Sequence, residues 1–405
     1  MNLDLACADY GRTLASRRDA LKIGMGLGLL PWLGASALGQ VRVAPHSERA
    51  LVVIFLRGGA DGLNLLVPHG DDAYYRARPT LGIPKRKLVG TGERFGFAPA
   101  LAPLVPLWGA GRMAVVPACG SGDASRSHFE AMATMEAGRG TRGERSEGGW
   151  LARYVTATPE RDAALRALAF GETMPDSLRG APGAVATNAI ADLRLPDDPA
   201  FVAGLQKAYA HGPLAASGRR HLEIAARLGS IAADTRRSGY PDSPLGAGLA
   251  EVAALLRSGI GLEIACLDSE LWDTHVAQGA DAGWQATLAR GLAEGIAAFA
   301  RDLGPRLETT TILVMTEFGR RVEENAGLGT DHGRASVAMV IGGGVRGGRV
   351  LGRWPGLERD ALDEVGDLPP VNDYRPLLRE VLHAGLGFGG EIFPTAPVGG
   401  YGLFT

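Results

Sequence analysis

Carboxylates and imidazoles recur in this chain behind apolar runs, in spacings that suit a metal ion. Asp331 and His332 are adjacent in the loop Gly329-Thr330-Asp331-His332-Gly333. A neighbouring Asp and His suit a hard or borderline divalent cation, and the flanking glycines permit positive φ, so both side chains can turn toward one point. Asp273 and His275 are two apart in Trp272-Asp273-Thr274-His275 and point the same way in extended chain. Glu317 ends the apolar run Thr309–Met315 in Thr316-Glu317-Phe318-Gly319-Arg320, and Asp61 ends the turn Arg57-Gly58-Gly59-Ala60-Asp61. Each also has a plainer reading: a helix cap, a turn Asp before Gly, or a polar loop with a stacked Trp272.

A second chemistry is available at Arg126-Ser127-His128, just before a helical stretch. A Ser at a helix start meets the positive end of the dipole, where a nucleophile or a bound oxyanion gains. Arg126 and His128 flank it as oxyanion or acid partners. Ser127 followed by Glu130 is also a capping box, which alone would explain both residues.

The elements that must position these groups are legible as alternating strands and helices. Leu51–Leu56, Met113–Ala118, Leu262–Leu267, Thr309–Met315 and Ser336–Ile341 read as buried strands, with one more within Ala163–Phe170. The polar residues lie just beyond the carboxyl ends of these runs, where open α/β sheets bind ligands. Pro99–Arg112, Pro199–His211, Ala216–Arg236, Leu245–Ser258 and Gly283–Leu303 have helical spacing, and Asp373 is placed to cap a last helix. Residues 156–260 carry no metal-type clustering and read as a helical layer or insertion. The glycine run 342–348 suggests tight turns or a hairpin into 349–352.

With 405 residues and 46% hydrophobic composition, the chain supports a large core without staples. Its formal charge of −2 gives no electrostatic case for nucleic acid. No helix-opening glycine fingerprint follows the first strand, which argues against a nucleotide-binding oxidoreductase. Arg17-Arg18 ahead of the apolar run Ile23–Leu38, with Ala35-Ser36-Ala37 as a small-residue cleavage site, resembles a twin-arginine signal, with Ala20 where Phe is usual. A cleaved signal over 1–39, periplasmic or secreted location, and no stable membrane anchor after cleavage are expected. Cys7 falls in that segment; Cys119 and Cys266 sit at predicted core strands and read as two buried thiols.

The ordered set Arg57-Gly-Gly-Ala-Asp-Gly-Leu-Asn, Arg126-Ser-His-Phe, Trp272-Asp-Thr-His, Thr316-Glu-Phe-Gly-Arg, Gly329-Thr-Asp-His-Gly and Asp373-Tyr-Arg, after that leader, resembles the exported family filed as domain of unknown function 1501. The resemblance covers nearly all of the mature chain. It implies an alkaline-phosphatase/sulfatase-like α/β fold over 40–405: a mostly parallel sheet sandwiched between helices, with a helical insertion. It further implies two divalent cations, Zn²⁺ or else Mn²⁺ or Ca²⁺, and a phosphate- or sulfate-ester hydrolase acting on small or polymer-borne esters. Asp61, Asp273, His275, Asp331 and His332 match the metal positions, and Ser127 the nucleophile, with Arg126 and His128 beside it. Two departures stand out. Asp331 comes fourteen positions after Glu317, which leaves Glu317 as an alternative ligand, and the late third histidine of the pattern falls on His383 alone. Cys119 does not fit the sulfatase cysteine motif. The other class left open is a non-catalytic secreted binding protein with an incomplete metal site.

Overall fold

The computed structural model describes residues 49–158, 165–196, 198–212, 215–232 and 239–404. The signal segment with Arg17, Arg18 and Cys7 lies outside the described residues.

Nine strands form one sheet in the order β10-β4-β9-β8-β1-β7-β5-β6, with β11 also on β4. They are β1 (Ala50–Leu56), β4 (Met113–Gly120), β5 (Ala167–Phe170), β6 (Val185–Thr187), β7 (Ile264–Ser269), β8 (Thr310–Thr316), β9 (Ser336–Gly342), β10 (Arg349–Val350) and β11 (Asn372–Asp373). Two short strands, β2 (Leu66–Val67) and β3 (Gly96–Phe97), pair separately. β1 pairs in parallel with both β7 and β8, and only β9 runs antiparallel, against β4 and β8. The carboxyl ends of β1, β4, β7 and β8 therefore share one edge with the start of β9.

The strands read as continuous apolar runs because both faces of the sheet are covered. Alternate residues of β1 go to opposite sides. Val52, Ile54 and Leu56 pack in a core with Leu249, Val252 and Leu256 of helix Pro244–Ser258 and Leu292, Ile296 and Phe299 of helix Trp284–Leu303. Leu51, Val53 and Phe55 pack with Leu151 and Tyr154 of helix Trp150–Ala157 and Leu377 and Leu378 of helix Tyr374–Glu380. This is the α/β sheet between helices that the resemblance implies.

Three local readings are corrected. The stretch read as one helix over Pro99–Arg112 splits into a 3₁₀ segment, Pro99–Leu104, and a short α-helix, Val105–Gly109, because Pro103 and Pro106 remove backbone donors. The glycine run does not make a hairpin: Gly347 and Gly348 donate to Gly111 and Met113 carbonyls, and β10 joins β4 in parallel. The capping box is absent. Ser127 is the N-cap of helix His128–Glu136 but its side chain makes no capping bond, and Glu130 accepts from Ser125 Oγ at 2.5 Å instead. Asp373 does cap its helix, accepting from Arg375 N. Cys119 and Cys266 are buried free thiols. Among the described residues, no helix is long and apolar enough to cross a membrane.

Candidate metal centre

The turn after β1 brings the loops of the shared edge together. Gly58 (φ 116°) and Gly59 (φ 69°) allow this approach. A Cβ on Gly58 would lie 2.5 Å from Asp273 N, and one on Gly59 would lie 2.4 Å from the Phe318 ring. Gly58 N donates to Glu317 Oε1 at 2.8 Å, tying the ends of β1 and β8.

The gap between Glu317 and Asp331 is a hairpin-like excursion. Gly319 N donates to Arg334 O, Gly333 N to Gly319 O and Arg321 N to Asp331 O, so the chain leaves the edge and returns His332 beside it. Gly329 fits under the neighbouring loop, where a Cβ would lie 2.3 Å from His275 O. Asn325 completes the brace, donating to His275 O and to Asp331 Oδ1, both at 3.0 Å.

Three histidines from three loops converge on one carboxylate. His275 Nε2 lies 3.0 Å from Asp273 Oδ1, and His332 Nε2 lies 3.1 Å from the same oxygen. The two Nε2 atoms are 2.9 Å apart. His128 Nε2 lies 3.4 Å from Asp273 Oδ2, and His128, Asp273 and His332 offer ligand atoms all within 4.8 Å of one another. Atoms bonded to one cation at about 2.0–2.1 Å lie roughly 2.9 Å apart at right angles and roughly 3.4 Å apart at the tetrahedral angle. The distances from Asp273 to the three imidazoles, and between His275 and His332, fall in that range.

Each histidine is oriented by an oxygen on its other nitrogen. His128 Nδ1 lies 2.8 Å from Glu317 Oε1, His275 Nδ1 lies 3.1 Å from Asp331 Oδ1, and His332 Nδ1 lies 2.7 Å from Arg126 O. An Nδ1–H donated outward leaves the Nε2 lone pair aimed inward, as in metal-ligating histidines. His128 Nε2 is buried and faces Asp273 Oδ2 at the long distance of 3.4 Å. The donor set therefore fits a divalent cation: His128, Asp273 and His332 form one group that could hold it, and His275 Nε2 adjoins that group at 3.0 Å from Asp273 Oδ1 and 2.9 Å from His332 Nε2.

Without a cation, protons take up this role. Burial would lower the pKa of His128, but hydrogen bonds and charge from Asp273 and Glu317 outweigh it and lift it to about 9. The bond to Asp273 likewise raises His275. Burial would raise Asp273, yet the three imidazoles and Arg320 hold it far below the usual carboxylate range. Phe318, buried, packs its ring against His128 and His332 with centroids 4.8 Å and 5.0 Å apart, forming a dry wall.

The residues singled out in the sequence therefore take several places. Asp273, His275 and His332 come together; His128, read there as an acid partner, joins them. His383 does not: it is exposed on the π-helical segment Val381–Gly385 with Nε2 on Gly390 O. Glu317 is buried and Asp331 exposed, and both contact histidine Nδ1 atoms from outside the cluster. Asp61 is wholly buried and paired with Arg78 Nη1 at 2.5 Å, and it accepts from Gln278 Nε2 at 2.7 Å. Gln278 Oε1 in turn accepts from Thr274 and Thr330, so this buried network fastens the loops carrying His275 and His332. Arg126 is spent on the buried Asp367, at 3.0 Å through Nε. Ser127, half-buried, immediately precedes His128.

Sequence reasoning missed Arg320. It is buried and donates to Asp273 Oδ1 at 2.6 Å and to the carbonyls of Gly58, Gly59, Trp272 and Thr330. A positive charge there holds Asp273 ionised and locks its direction. The available signal was position: Arg320 stands three residues after Glu317 in a stretch already marked. Gln278 and Asn325 carried no signal, since amide side chains in loops are ordinarily solvated.

Residues 206–373 match the model of a family described as protein of unknown function (DUF1501). The resemblance to that family is thus shown over the stretch holding Asp273, His275, Glu317, Asp331 and His332; Asp61 and His128 precede it. Three solved structures are similar at low identity. The C-terminal periplasmic domain of EcEptC from Escherichia coli, in complex with Zn, is 9% identical over 82% of this chain and 81% of that chain, with a TM-score of 0.39. Ps i-CgsB in complex with k-i-k-neocarrahexaose is 11% identical over 85% and 73%, with a TM-score of 0.35. A 2-O GAG sulfatase is 11% identical over 86% and 72%, with a TM-score of 0.34. No curated protein matches.

Proposed function

We propose that this chain is an exported, metal-dependent hydrolase of phosphate or sulfate esters built on one cation site. The observation that supports this reading most is the convergence of three imidazole Nε2 atoms on Asp273, with every Nδ1 held by an oxygen. Three imidazoles and one carboxylate favour Zn²⁺; Mn²⁺ fits less well, and Ca²⁺, which takes oxygen ligands, least. A cation held there would polarise an ester oxygen and lower the pKa of a nearby hydroxyl or water. Asp61, engaged by Arg78, is not counted among the ligands, so one cation replaces the two that the resemblance implies.

Ser127 is proposed as the nucleophile. Its hydroxyl is not used as a cap, and its neighbour His128 is part of the cluster. Arg126 is left out of the reacting set because Asp367 holds it. Its carbonyl instead fixes His332. The substrate is proposed to be a small or polymer-borne ester, with export directed by Arg17 and Arg18. Protein purified without chelator should contain about one metal ion per chain and hydrolyse at least one of an aryl phosphate, a phosphodiester and an aryl sulfate, and His275→Ala should lose both properties.

One observation favours a second reading, a metal-binding protein without turnover. Arg57, Arg126 and Arg320 are all committed to protein oxygens, so among the described residues none of these three is left to hold an ester anion. Stoichiometric metal with no hydrolysis of any of the three ester classes would establish that reading.

A further inference from the structure

Among the described residues, eight large apolar side chains stand exposed. Four of them are chain neighbours of the metal centre. Phe129 follows His128, Leu271 and Val276 bracket Asp273 and His275, and Leu328 precedes Asp331 by three positions. A fifth, Trp284, donates its indole N–H to the Leu271 carbonyl at 3.0 Å. Exposed apolar residues are ordinarily scattered singly, and their gathering marks a binding surface.

The backbone reinforces this placement. Leu271 (φ 71°) and Leu328 (φ 56°) both lie in the left-handed region, where Gly or Asn is the usual occupant. Two loops thus present leucines to solvent at a conformational cost, which points to use of the side chain. Val276 and Leu328 stand on paired segments, since Ala277 N donates to Gly327 O and Gln278 N to Leu328 O, each at 2.9 Å. The buried side chain of Gln278 anchors the same segments through Thr274 and Thr330, so the apolar surface is held in place before anything binds.

The geometry points to an apolar subsite beside the metal centre, formed by Leu271, Val276, Leu328, Trp284 and Phe129, that takes the alkyl or aryl group of the ester held there. The inference rests on the metal-centre reading and adds a substrate class to it: amphiphilic esters with an anionic head and an apolar tail. A substrate is the favoured occupant because four of these side chains, Phe129, Leu271, Val276 and Leu328, lie within four positions of the ligands, so a protein bound over them would cover the centre.

The test is binding of a linear alkyl phosphate series, methyl to octyl and below micelle formation, to the Zn²⁺-loaded chain by calorimetry. Affinity should rise about two- to fourfold per methylene, as for partial to full burial. Leu271→Asn and Leu328→Asn keep a residue that tolerates positive φ. Each should cut that slope by at least half while methyl phosphate affinity moves less than twofold. Equal affinity across the series, with methyl phosphate bound, would overturn the subsite and leave the metal-centre reading standing. No binding by any member, to a chain shown by elemental analysis to hold its metal, would overturn the subsite and the phosphate-ester reading together. A slope that survives in both variants would overturn the assignment to these residues. A flat series together with binding to phosphatidylcholine vesicles would give the surface to a membrane and also overturn the proposal.

Discussion

His275 and His332 bring their Nε2 atoms to 2.9 Å of each other, while each Nδ1 faces an oxygen on the far side of its ring. If both rings donate outward and are neutral, two lone pairs face one another across that gap. Such an arrangement is stable only with a positive charge between or beside the nitrogens, either a proton or a metal ion. Asp273 Oδ1 completes the triangle at 3.0 Å and 3.1 Å. His332→Ala should therefore remove the bound cation, read by elemental analysis. It should also abolish the stabilisation on adding Zn²⁺, which for the parent chain at about 100 times Kd amounts to about 2.7 kcal/mol and is read as a rise in melting temperature. Retention of full metal content would refute the assignment of His332 as a ligand.

Glu317 and Asp331 act through histidines in this geometry, so their removal should weaken metal binding without abolishing it. Glu317→Gln and Asp331→Asn are each expected to lower affinity about 10- to 100-fold, with stoichiometry unchanged at saturating metal. Competition with a chromophoric chelator measures this. Complete loss of stoichiometric binding would make the residue concerned a direct ligand.

Loading the cation should release protons. In the metal-free chain His128 is lifted to about 9, so it is protonated at pH 7.5 and must give up that proton to offer Nε2. Apparent affinity should then rise with pH up to about 9, about tenfold per unit for one proton. Calorimetry in two buffers of different ionisation enthalpy should show at least one proton released at pH 7.5, and no release would contradict the exchange of proton for metal. The raised folded-state value also fixes a sign for stability. The contribution of His128 to the metal-free fold is present in full below its unfolded value near 6.5 and is lost as pH rises through about 9.

Because Ser127 makes no capping bond, Ser127→Ala should change stability by less than about 0.5 kcal/mol, below the ~1 kcal/mol typical of a lost cap. Metal content should persist and ester turnover should fall far more than tenfold. Turnover near the parent rate would leave water as the attacking group.

Asp61 is wholly buried against Arg78. Asp61→Ala should strand that guanidinium and destabilise the fold by about 3–5 kcal/mol, visible in a denaturant titration. The double change Asp61→Ala with Arg78→Met should recover much of the loss, because a neutral pair leaves no uncompensated charge.

The apolar runs Leu51–Leu56 and Thr309–Met315 determined by themselves that buried strands exist and that polar residues follow their carboxyl ends. Covering both faces of a sheet requires such runs, and each is read to end where polar and glycine-rich turn residues begin. Asp273 and His275 were readable as a pair for the same reason, since two residues apart in extended chain share a direction. Only the tertiary structure decided which groups point inward. Glu317 and His128 are 189 residues apart, and Asp61 meets Arg78 across a helix that chain spacing does not orient. Whether a carboxylate serves as ligand, as support for an imidazole or as counter-charge to a buried arginine depends on which loop lies within about 3 Å of its oxygens. That is a property of packing between distant segments, and it lies beyond the local periodicity from which strands and helices are read.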